Sequence, residues 1–92
     1  MKAIMDTLTF GCQPVDRRAL SDGSIHYSGA MPGNADDARA FIIEYITPDA
    51  ACVFARDGIE VPPTFGATRL MFTETAPDAV SFEVVFRKDR VR

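Results

Sequence analysis

The chain has 92 residues, a net charge of −3 and 47% hydrophobic side chains, enough for one small domain with a thin core. No apolar run approaches the ~20 residues of a membrane span. Met1 to Asp6 holds no apolar stretch of the secretory kind, so a cytoplasmic protein with no membrane partner is expected.

Ala3 to Phe10 reads as a strand with Ile4, Leu8 and Phe10 on one face. Asp6 breaks that face, as at an edge or a strand start. Gly11 and Pro14 interrupt the run, and Cys12 falls in the turn between them. Asp-Gly occurs at Asp22-Gly23 and again at Asp57-Gly58, each time between strand-like runs. The dipeptide predicts a two-residue type I′ hairpin, because both central residues need positive φ. Around the first turn, Arg17 to Ser21 and Ser24 to Met31 would pair Leu20 with Ile25 and Arg18 with Tyr27. His26 would then point away from Ile25 and Tyr27.

Pro32-Gly33 ends that strand, and Asn34 is placed to cap a helix with Asp37 at the third helical position. Asp36 and Asp37 lie in the first turn, where the helix dipole favours negative charge. Ala38, Phe41, Ile42, Tyr45 and Ile46 follow the spacing of a buried helical face. Pro48 disfavours the α region for Thr47, so the helix is expected to stop there. Ala51 to Arg56 and Ile59 to Val61 read as strands around the second Asp-Gly, closed by Pro62-Pro63, with Cys52 a small core residue. Thr68 to Glu74 and Val80 to Arg87 form a last hairpin. Pairing Glu74 with Val80 sets Phe72 against Phe82 and Leu70 against Val84 on the core face. The expected fold class is α+β: an antiparallel sheet of about five or six strands built from hairpins, with one α-helix packed on one face. It forms a single domain over residues 1–92 with a short basic tail at 87–92.

Chemistry is sparse. His26 is the only histidine, and nothing in the spacing brings it to Cys12 or Cys52 as a nucleophile–base pair. Neither cysteine sits in a paired metal-ligand motif. The two are poorly placed for a disulfide framework. Adjacent helical acids diverge by about 100°, so Asp36 and Asp37 suit capping better than acid–base work. No phosphate-binding loop is present: Gly29 to Gly33 lacks the lysine and carries a proline. No catalytic residue, metal or cofactor is expected, and no small-molecule substrate.

Surface features remain. The last six residues carry four positive side chains and one negative, which leaves the body more acidic than the whole. An acidic body argues against a general nucleic-acid binder. Arginine outnumbers lysine eight to two, a bias toward bidentate recognition. Ile43 lies off the main helical face, either at the core edge or exposed for a partner. Arg69, Met71, Val85 and Arg87 share the sheet face opposite the core, a mixed apolar and arginine patch of interface composition or an ordinary solvated face. Arg17 and Arg18 form a second basic spot.

Residues 22–63 resemble HicB-type antitoxins locally, through Asp22-Gly23-Ser24-Ile25-His26-Tyr27, Pro32-Gly33, the Asp37-Ala38 helix start and Gly58-Ile59-Glu60-Val61-Pro62. That family's further strand between Pro-Gly and the helix is missing here. Over its whole length the chain is similar in general character to the small phage-encoded anti-CRISPR proteins, compact acidic α+β chains that cover a surface of an effector complex. This resemblance implies a non-enzymatic inhibitor with a protein or ribonucleoprotein partner, whose nucleic-acid-binding surface it would occlude. Asp36, Asp37 and Glu44 would meet the effector's basic side chains, and Arg87, Lys88 and Arg90 would reach RNA phosphates or acidic patches. Other readings are an antitoxin or immunity protein, a phage structural subunit, or a small hydrolase using Cys52 or Cys12 with His26.

Overall fold

Alternation along the last strand decides which side of the sheet is covered. Val80, Phe82, Val84 and Phe86 are all buried, while Glu83 between them is exposed. The computed structural model describes residues 4–62 and 65–88. Within them, strands β1 (Ile4–Phe10), β2 (Gln13–Ala19), β3 (Ile25–Pro32), β4 (Arg69–Ala76) and β5 (Ala79–Phe86) form one antiparallel sheet in the order β1-β2-β3-β5-β4. Helical residues 35–56 connect β3 to β4 and pack on a single face, giving an α+β fold.

The β4–β5 pairing follows the expected register: Phe72 meets Phe82, Leu70 meets Val84 and Glu74 meets Val80. Asn34 caps the helix as expected. Its side chain accepts from the Asp37 N–H at 3.0 Å, and the Asp37 carboxylate accepts from the Asn34 N–H at 2.9 Å.

The helix does not stop at Thr47. Segment α1 (Ala35–Phe41) runs through a π-helical turn, Ile42–Ile46, into α2 (Thr47–Arg56). Pro48 has no N–H, and its ring would collide with the carbonyl four residues earlier in a regular helix. The widened turn, in which the Thr47 N–H donates to the Ile42 carbonyl, absorbs that conflict. The buried face then continues by fours through Ile42, Ile46, Ala50 and Phe54. The expected strands at Ala51 to Arg56 and Ile59 to Val61 are therefore corrected to helix and irregular chain. Cys52 is exposed on that helix instead of buried in a strand.

Neither Asp-Gly makes a type I′ hairpin. Asp57-Gly58 ends the helix: Ile59 N–H donates to the Phe54 carbonyl and Gly58 N–H to the Ala55 carbonyl, both at 3.0 Å. That is a Schellman motif, with Gly58 at φ 79° where a side chain would be strained. Asp22-Gly23 belongs to a three-residue hairpin loop closed by Leu20 and Ser24, in which only Gly23 takes positive φ, 90°. The register is shifted by one residue from expectation, so Arg17 lies opposite Tyr27, and Arg18 opposite His26. The two-residue turn with both φ values positive sits at Gly11-Cys12, joining β1 to β2.

The core is aromatic where the long helix crosses the sheet. Tyr27 meets Phe86 edge-on at 5.7 Å, Phe65 stacks on Phe86 at 5.3 Å, and Phe54 meets Phe65 at 5.7 Å. No helix among the described residues is long and apolar enough to cross a membrane.

Candidate interaction surface on the open sheet face

The open face is organised in rows that run across the strands. Antiparallel pairing aligns Arg18, His26, Val85 and Arg69 on β2, β3, β5 and β4. The next row on the same face is Asp16, Ser28, Glu83 and Met71. A basic row thus runs beside a partly acidic one. Met71 is 42% exposed and Val85 half-buried, so an apolar strip crosses both rows on the β4–β5 side. Arg69 makes no ion pair among the described residues, and its guanidinium rests 3.3 Å from the Met71 sulfur.

Three shallow concavities meet at His26, the smallest lying over Arg69, Met71, Glu83 and Val85. A second, about 330 Å³, opens toward Asp16, Ser28 and Glu83. The largest of the three, about 520 Å³, opens toward the β2–β3 loop, between Ser24, Arg69, Val85 and Arg87. Asp22 stands at the rim of this largest one. The Ser24 hydroxyl at 2.6 Å and the Ser24 N–H at 2.8 Å both donate to it and hold its carboxyl below the usual carboxylate range. Lys88 lies over Gly23 in an adjoining concavity that shares Asp22, Ser24 and Arg87.

The one-residue register shift separates the two arginines of the first basic spot. Arg18 joins the open face. Arg17 turns under the helix, where its Nη1 pairs with Asp49 at 2.8 Å, with the two side chains only 15% and 17% exposed. Tyr27 donates its hydroxyl to the same carboxylate oxygen at 2.5 Å. Burial, with this bond second, pushes the Tyr27 phenol far above its ordinary value. Arg17 is thus a part of the scaffold. The signal for this cluster was the alternative reading of Asp22-Gly23 as a type I turn followed by a glycine bulge, which puts Arg17 and Tyr27 on one face. Asp49 was hidden by the expected end of the helix at Pro48.

The remaining expected contact residues scatter. Asp36, Asp37 and Glu44 are exposed on the helix, with Asp37 engaged in the capping box. Ile43 is 65% exposed, so it stands clear of the core edge. Arg69, Met71, Val85 and Arg87 gather on the open face, with Lys88 at its end. Arg90 and Pro63 lie outside the described residues. His26 lies on the open side of the sheet, as expected, where it lines all three concavities.

Thiol and imidazole do not converge. Cys52 is on the helix and His26 on the opposite side of the sheet. Cys12 lies in the turn at the far end of β2 from Arg18, the residue opposite His26. Among the described residues no group of three or more histidine, cysteine, aspartate and glutamate side chains is arranged to hold a metal ion. No protein-family model, no curated protein and no solved structure matches the chain.

Proposed function

We propose that this protein is a non-enzymatic, cytoplasmic inhibitor that binds a larger ribonucleoprotein and covers part of its surface, with the open sheet face as the contact. The observation that carries this reading is the asymmetry of the sheet. One face is sealed by the helix, while the other presents the Met71 and Val85 strip between Arg18, Arg69 and Arg87. Arginine around a small apolar centre is the composition of interface cores, where a few such residues carry most of the binding energy. A rigid sheet offers them with little ordering cost on association.

The specific form of the reading is an anti-CRISPR protein that blocks nucleic-acid binding by an effector complex. The compact acidic body, the arginine bias and the open face all support it. The test is a mobility-shift assay with purified effector complex and labelled target DNA. Addition of the protein is expected to abolish the shifted species, and the Met71→Asp variant to need at least about tenfold more protein, as for a lost hot-spot contact. Unchanged target binding across effector complexes sinks the anti-CRISPR form. Co-purification with a toxin encoded beside it would move the assignment to an antitoxin.

A further inference from the structure

We infer that the basic row of the open face is a binding track for the phosphate chain of single-stranded RNA; the inference names the partner chemistry of the inhibitor reading and rests on it. Arg18, His26 and Arg69 stand in one line across four adjacent strands, with Val85 between the last two. At ~4.8 Å per strand the line is about 14 Å long. One phosphate group is far shorter than that, whereas a chain of phosphates has the right extent.

The sides of the track differ in charge. Toward the strand centres lies the row with Asp16 and Glu83, which repels a polyanion. Toward the β2–β3 loop lies the largest of the three concavities, with Arg87 and Ser24 on its walls and Lys88 in the adjoining one. The carboxylate there, Asp22, already accepts two hydrogen bonds from Ser24 and lies in the field of Arg87. The strand is thereby confined between the acidic row and the loop. Arg69 supplies a planar guanidinium that meets no carboxylate among the described residues and sits on a thioether, a weak acceptor. Arg18 and Lys88 likewise make no ion pair among the described residues.

Neither row carries a phenylalanine, tyrosine or tryptophan, and the single small ring of His26 is no extended platform for stacking bases. Contact is therefore mainly with the backbone and largely indifferent to sequence. The acidic body keeps the isolated interaction weak, consistent with a chain that finds RNA only where a protein already presents it.

The test is fluorescence anisotropy with the full chain and a labelled single-stranded RNA of about 12 nucleotides, at about 50 and about 200 mM salt. Saturable binding is expected at the lower salt, weakening about 20-fold at the higher, as for about three phosphate contacts. Arg69→Gln and Lys88→Gln should each weaken binding several-fold and reduce the logarithmic salt slope by about 0.7. Arg56→Gln removes the same charge from the exposed end of the helix and should change neither. Failure of the RNA to saturate at the lower salt overturns the inference, as does an equal loss in Arg56→Gln. A phosphoserine peptide that binds as tightly and with the same salt slope overturns the assignment to a phosphate chain. The assay contains no effector complex, so its failure and a failure of effector inhibition are read separately.

Discussion

Neighbouring residues of β5 meet opposite surroundings. Val84 and Phe86 are wholly withdrawn from water, and Phe86 is gripped between Tyr27 and Phe65. Val85, between them, looks out beside His26 and Arg69, with Met71 42% exposed two residues along the partner strand. The covered face concentrates apolar area, where burial contributes about 25 cal/mol per Å². The open face mixes charge with a thin apolar strip and adds little to stability. Stability and recognition are thus assigned to different sides of the same strands, and substitutions should separate them.

The largest effect is expected from Phe86→Ala on the covered face. It removes a fully buried ring and both of its aromatic contacts. A loss of about 3–5 kcal/mol is expected in urea denaturation, most of the stability of a domain this small.

Asp49→Ala tests the Arg17–Asp49 ion pair on the covered side. It removes the carboxylate oxygen that Arg17 and Tyr27 share. Removing one partner of a largely buried pair costs more than the pair contributes, because the other loses an acceptor in a site with little water. About 2–3 kcal/mol is expected, the partial exposure of the pair holding it below the buried limit. Asp49→Asn, which still accepts the Tyr27 hydroxyl, should cost roughly half as much.

The same cluster sets a pH dependence. The folded-state Tyr27 value is raised, so the unfolded chain loses that proton first as pH rises. Stability from this group is fully present below the ordinary tyrosine value of about 10 and falls above it, by up to about 1.4 kcal/mol per pH unit. Tyr27→Phe should remove that decline, as seen by comparing denaturation midpoints on either side of the ordinary value. An equally steep decline in Tyr27→Phe would mean that another group is responsible.

Legibility in the sequence followed the range of the forces involved. The β4–β5 hairpin was readable because strict alternation from Val80 to Phe86 admits one register with a buried face. The helix start was readable because capping is local to Asn34 and Asp37. The helix end was not, because Pro48 is a stop signal by local preference, and burial of Ala50 and Phe54 against the sheet overrides it at the cost of a π turn. Asp22-Gly23 was recognised as a turn, but its loop length was not, and one residue of loop decided whether Arg17 or Arg18 faces outward. The open-face patch of Arg69, Met71 and Val85 was legible from alternation alone. Its junction with Arg18 and His26 needed the strand order, which no local pattern encodes.

The smallest effect on stability, and the sharpest separation of the two faces, is expected from Met71→Ser. Met71 lies on edge strand β4, exposed, with its sulfur beside the Arg69 guanidinium and no part in the buried cluster. Surface substitutions away from caps and buried groups stay within about 0.5 kcal/mol, so its urea midpoint should match the parent. If the open face is the contact, the same change removes an apolar centre from the interface and weakens partner binding by more than about 1 kcal/mol, several-fold in affinity. Parent-like inhibition in Met71→Ser and in Val85→Thr together would move the contact to the helix, where Ile43 is the next exposed apolar side chain. A lowered urea midpoint in Met71→Ser would instead mean that the open face shares in holding the fold, and the division of labour between the faces would fail.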